Sequence, residues 1–156
     1  MTEHLLAPIL RAIDRAGGND YQLIVVLVPL GLGRISILQS IVEQTGFRCI
    51  NVSLKLSQAL LEFSRHDRAD KVLKLLEDIV EQEEPLGVVL DNLEILFDPT
   101  LKLRPLEVLK ECSKHRKVIA AWKGKQQHGN LLYAELNHPE YRCYSVSDIK
   151  TISVIS

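Results

Sequence analysis

The chain has 156 residues, with 19 Lys and Arg against 20 Asp and Glu, so its net charge of −1 supplies no overall pull toward nucleic acid. A hydrophobic content of 46% with few aromatics excludes a disordered chain and fits one α/β domain with a substantial core. No apolar run approaches the roughly 20 residues that cross a bilayer, and Met1 to Gly18 reads as a helix bearing Glu3, Arg11, Asp14 and Arg15 rather than as a secretion signal.

Leu5, Leu6, Ile9, Leu10 and Ile13 make a helical stripe that stops at Gly17-Gly18. The next stretch, Gln22 to Leu38, organises the chain: an apolar run, a turn with Gly31 and Gly33, then helical spacing. That is a buried strand, a tight loop and a helix N-terminus. A phosphate-binding loop of pattern G-x-x-x-x-G-K-[ST] begins this way, with backbone N–H groups around the phosphates, Lys on the terminal phosphates and a hydroxyl on magnesium. Val28, Gly33, Arg34 and Ile35 stand at its fixed positions. Arg34 keeps the charge but is wider than an ammonium. Ile35 lacks the hydroxyl, and Ser36 lies about 100° further around the helix. The alternative is a glycine-bearing strand-to-helix turn that binds nothing.

The helix is expected from about Arg34 to Thr45, closed by Gly46, with a strand at Phe47 to Val52. Two helical stretches follow, one through Leu56, Ala59, Leu60 and Phe63 and one from Val72 to Val80. Ser64 to Arg68 between them reads as a solvated turn with Asp67 as a helix cap, or as a contact point in which Arg65 or Arg68 reaches a neighbouring subunit or phosphate. Leu86 to Leu90 is an apolar strand that delivers Asp91 at its carboxyl end, where parallel sheets place ligands. Asp91 is thereby a candidate Walker B magnesium ligand, and Glu94 is the nearest carboxylate to polarise an attacking water. The alternative for Asp91 is a cap on a helix over Asn92 to Phe97.

Pro105 starts another helix, through Leu106, Val108, Leu109 and Cys112, and Lys117 to Trp122 is again a strand. Lys123 or Lys125 beyond it is a candidate cation for the altered loop. After Gly129 come short extended pieces, Leu131 to Glu135 and Arg142 to Val146, around Asn137-His138-Pro139, where His138 reads as structural. A closing strand lies at Ile149 to Ile155. Cys49, Cys112 and Cys143 match neither a disulfide framework nor a zinc pattern and read as reduced core thiols. The glycosylation letters Asn51-Val52-Ser53 sit at a strand end and carry no weight.

The segments LIVVLVPLGLGRISIL, INVSLKLSQALLEF, VVLDNLEILFDPTLKLRPLEVL, KVIAAWKG and LLYAELNHPEYRCY together span most of the chain. In them the sequence resembles the BrxF family, the small P-loop proteins of type III bacteriophage-exclusion (BREX) systems. DNLEILFDPTLKLRPLEVL is the most distinctive of these segments. The resemblance implies a P-loop NTPase-like three-layer fold, with a mostly parallel sheet, helices on both faces and short C-terminal strands. It also implies a bacterial cytoplasmic location and, as partners, a DNA methyltransferase, a PglZ-type protein and a large ATPase or helicase. ATP and Mg²⁺ are the implied cofactors, with Gly31, Gly33 and Arg34 around the phosphates and Asp91 on the metal; Leu32, Ile35 and Ser36 complete the candidate nucleotide loop, and Asp91 with Glu94 is the candidate catalytic pair. Family members carry a Walker A similar to GPPGSGKT, from which this chain departs at Val28, Leu30, Leu32, Arg34 and Ile35.

The expected organisation is one domain over 1–156, with an N-terminal helix (1–18), a core (19–128) and a β-rich extension (129–156). The expected function is that of an accessory NTPase-like component of the defence complex, binding ATP through a degenerate Walker A with weak or absent hydrolysis. A second reading is an active ATPase ring with Arg65, Arg68 or Arg104 supplied in trans between identical subunits. A third is a DNA adaptor using Lys114, His115, Arg116, Lys117, Lys123 and Lys125, and none of the three involves a membrane.

Overall fold

The computed structural model describes residues 2–16, 21–27, 32–82, 87–122, 124–127, 130–133, 142–145 and 150–153. Gly17, Gly18, Val28, Leu30, Gly31, Leu86, Lys123 and His138, all named above, lie outside the described residues. In chain order the elements are α1 (Thr2–Ala16), β1 (Leu23–Leu27), α2 (Leu32–Thr45), β2 (Arg48–Asn51), α3 (Val52–Leu60) and α4 (Arg65–Gln82). They continue with β3 (Gly87–Asp91), α5 (Pro105–Cys112), β4 (Lys117–Trp122), β5 (Gly124–Gln127), β6 (Asn130–Tyr133), β7 (Arg142–Ser145) and β8 (Lys150–Ser153).

Five strands form one sheet in the order β2-β3-β4-β1-β8, and every pairing in it is parallel. The α/β class and parallel sheet expected from the sequence are therefore present. β1 leads across β4 and β3 to β2, and the chain then steps back through β3 to β4. With right-handed crossovers, that reversal sends α2 to one face and α3, α4 and α5 to the other. Strand alternation shows the result. Leu23, Val25 and Leu27 pack with Leu56, Val72, Leu76 and Leu109, whereas Ile24 and Val26 pack with Ile9, Ile13, Ile37 and Ile41. Because both faces are covered, β1 and β4 are apolar at nearly every position rather than at every second one.

Several boundaries differ from expectation for local reasons. The strand at Phe47 to Val52 is shorter: Asn51 ends it and caps α3, its Oδ1 accepting the Leu54 amide at 3.0 Å, so Val52 is already helical. Asp67 is not a helix cap. Ser64 holds that position, its Oγ accepting the Asp67 amide at 3.3 Å and donating to Asp67 Oδ2 at 3.0 Å, a reciprocal cap that starts α4 at Arg65. Of the expected core thiols, Cys112 is buried but Cys49 is exposed. The segment after Trp122 holds a strand the sequence did not suggest, β5, which pairs with β6 and then β7 in an antiparallel sheet. β8 instead returns to the parallel sheet beside β1. Among the described residues, no helix is long and apolar enough to cross a membrane.

Candidate functional site

The carboxyl edge of the parallel sheet is set by register. Asn51 on β2 is the partner of Asp91 on β3, and Leu27 on β1 is the partner of Trp122 on β4. With strands about 4.8 Å apart, the end of β1 lies about 10 Å from Asp91, across β4. The chain leaves β1 into α2 on one face. It leaves β3 toward the other, where Leu93, Leu96, Phe97 and Leu101 join the α3–α5 core. Departure to opposite faces is the topology at which open parallel sheets bind ligands.

Asp91 emerges half-buried from a strand whose other four residues are buried. Asn92 follows at φ +54°, the left-handed region that Asn tolerates better than most residues. The helix that Asp91 was expected to cap over Asn92 to Phe97 is replaced by a short 3₁₀ turn, Glu94–Phe97, whose capping position is Leu93 and has no side-chain cap. Capping therefore does not account for Asp91.

Ser53, in the first turn of α3, ties this loop down. Its amide donates to the Asn92 carbonyl at 2.9 Å and its Oγ donates to the same oxygen at 2.6 Å. The Ile95 amide donates to Ser53 Oγ at 3.2 Å, and Glu94 Oε2 lies 3.3 Å from that hydroxyl. The loop carrying both candidate carboxylates is thus fastened to the neighbouring β2–α3 junction. Ser53 was missed in the sequence because its partners are about 40 residues away.

On the other side of β4, following β1, Leu32, Gly33 and Arg34 form the first turn of α2. Ile35 is 47% exposed and Ser36 is exposed, so the position where a phosphate loop has its hydroxyl presents an apolar side chain to solvent. The structure places Asp91, Glu94 and Asn51 together on the β2–β3 side, with the start of α2 following the end of β1 beyond β4. Among the described residues, no group of three or more His, Cys, Asp or Glu is placed to hold a metal ion. The floor of the edge is apolar: Trp122 is buried and meets Phe97 edge-to-face, with ring centroids 5.3 Å apart and planes at 79°.

The arginines proposed for action in trans are not equivalent. Arg68 Nε donates to the carbonyls of Leu60 and Phe63 at 3.0 and 3.1 Å, closing the end of α3, whereas Arg65 and Arg104 are exposed. The basic cluster divides. Lys114 to Lys117 precede the body of β4 at the amino edge, and Lys125 follows its carboxyl end, so they cannot form one patch. Lys114 pairs with Glu111 at 3.0 Å, whose hydrogen bond and charge hold the ammonium above its usual range, and Arg116 donates to the Val80 carbonyl at 3.2 Å.

No protein-family model, curated protein or solved structure matches this chain.

Proposed function

We propose that this chain is an accessory P-loop NTPase-like component of a BREX-type phage-defence complex, holding ATP at the carboxyl edge of its parallel sheet and hydrolysing it slowly if at all. The observation that carries the reading is the placement of Asp91: it ends β3 at the carboxyl edge of the parallel sheet, with β4 alone between β3 and β1. The sequence resemblance supplies the defence context and the partners, namely a DNA methyltransferase, a PglZ-type protein and a large ATPase or helicase.

The residues fit the group in part. The positive N-terminal end of α2 and Arg34 suit phosphate, and Asp91 suits magnesium directly or through water. Ile35 contributes no oxygen, so the metal would draw more of its ligands from water and phosphate. This weakened donor set is the reason to assign slow hydrolysis. When bound, magnesium would neutralise charge on the phosphates, and Glu94 is the carboxylate nearest to orient a water.

Calorimetry with ATP, with and without magnesium, tests this reading on the purified chain, on Arg34→Ala, on Asp91→Asn and on a version restored by Val28→Gly, Arg34→Lys and Ile35→Thr. The expected result is binding by the parent that Arg34→Ala abolishes, with the magnesium enhancement lost in Asp91→Asn. Binding by the restored version alone would mean that the chain is a P-loop scaffold without its ligand, whose function lies in its partners.

A further inference from the structure

A cavity of about 400 Å³ lies between α1 and the start of β1, with Pro8, Arg11, Ala12, Arg15, Ala16, Leu23 and Ile24 in its lining. Leu23 and Ile24 are the first residues of β1 and Leu27 is the last. At about 3.3 Å per residue, the cavity is about 13 Å from the carboxyl edge, at the opposite end of the sheet.

Among the described residues that line it, the charged ones are both basic. Arg11 and Arg15 are four residues apart on one side of α1, and like charges at that spacing repel. Asp14 is close in sequence, yet among the described residues no carboxylate forms an ion pair with either guanidinium. The end of the helix dipole favours Arg15 in the last turn, but Arg11, a full turn earlier, gains little from it.

We propose that this cavity is a binding site for a small phosphate-bearing molecule, gripped by Arg11 and Arg15. Guanidinium forks match phosphate oxygens two at a time, and an anion between two like charges removes their repulsion. The concave shape and volume suit a small molecule rather than a nucleic-acid strand. Pro8, Ala12 and Ala16 offer the apolar wall that an organic body attached to the phosphate needs. The site is separate from the carboxyl edge and does not depend on ATP binding there.

The test is calorimetry of the full chain with pyrophosphate as probe at low salt, repeated at about 150 mM salt, where exposed charges more than about 8 Å apart are largely screened. The expected result is saturable binding that weakens about tenfold or more in Arg11→Gln and in Arg15→Gln, is partly kept in Arg15→Lys, and is unchanged in Arg34→Ala. Both arginines are exposed, so an unaltered melting temperature is expected and separates loss of binding from loss of fold. Absence of binding by the parent overturns the proposal. So does binding that survives the Arg11→Gln, Arg15→Gln double change, or binding lost in Arg34→Ala alone, which would put the phosphate at the glycine turn.

Discussion

The Ser53 hydroxyl donates to the Asn92 carbonyl at 2.6 Å, and the Ser53 amide donates to the same oxygen at 2.9 Å. Two donors on one carbonyl hold Asn92 in its left-handed conformation and so fix where Asp91 and Glu94 leave β3. Removing the hydroxyl also leaves the Ile95 amide without its acceptor. Ser53→Ala is expected to cost about 1–3 kcal/mol, read as a lower urea midpoint at unchanged slope. Ser53→Thr, which keeps the oxygen, is expected to recover most of that loss. An unaltered midpoint in Ser53→Ala would mean that the hydroxyl does not fasten the loop.

Gly87 opens β3 against the ring of Phe47, where an added Cβ would lie 2.6 Å from ring carbons. Phe47 is buried, so the ring cannot swing into solvent without losing its packing. Gly87→Ala is expected to destabilise the fold by about 1–3 kcal/mol, the usual cost of overpacking. Phe47→Leu alone also destabilises, but the double change is expected to be less harmful than the two effects added together. Strict additivity in urea unfolding would exclude the steric account.

What could be read from the sequence follows from how local the signal is. β1 and β4 were legible as continuous apolar runs, and Pro105 marked the start of α5 because its missing N–H and fixed φ suit a first helical turn. The change from β2 to α3 was misplaced although Asn51 is a good cap and Val52, Leu56 and Leu60 already keep helical spacing. The β-branched Val52 suits a strand as well as a helix start, so local pattern does not separate the two elements there. Ser64 and Asp67, three residues apart, form a legible capping pair in which Ser64 rather than Asp67 is the cap. β5, with sequence GKQQ, has no apolar alternation to announce it, and β8 is placed beside β1 by a pairing about 125 residues long-range, which no local pattern encodes. At the site, Asp91 was visible as a carboxylate ending an apolar strand. The Ser53 fastening was not, because a hydroxyl bonding a distant carbonyl leaves no periodicity.

Burial pushes the Cys112 thiol up to about 12, with the Glu77 charge adding to it. In the unfolded chain the same thiol titrates near its reference value of about 8.5. Above that value the unfolded state sheds a proton that the folded state keeps, so stability is fully present below about pH 8.5 and declines as pH rises toward 12. The slope from this one group is about 1.4 kcal/mol per pH unit. The stability difference between the parent and Cys112→Ala, measured by urea unfolding, is expected to narrow across that window. A thiol reagent at pH 8 is expected to label exposed Cys49 and to reach Cys112 only on unfolding, as peptide mass analysis would show.

Trp122 is the only tryptophan, and it sits where the carboxyl edge meets the core. It pairs in register with Leu27 at the end of β1 and stacks edge-to-face on Phe97, which follows Asp91 by six residues. Its exposure of 1% predicts a blue-shifted emission. Phe97 is equally buried, so Phe97→Ala opens a void beneath the loop after β3, at an expected cost of about 3–5 kcal/mol. Phe97→Leu, which refills most of the space but loses the ring contact, is expected to cost less. Because the indole loses its ring neighbour, Phe97→Ala is also expected to move the emission to the red before any unfolding, in step with greater access to an added quencher. An emission in the parent already typical of exposed indole would place Trp122 at the surface and remove the apolar floor from the carboxyl edge. A void that costs stability without moving the emission would mean that Phe97 supports the core but not the indole.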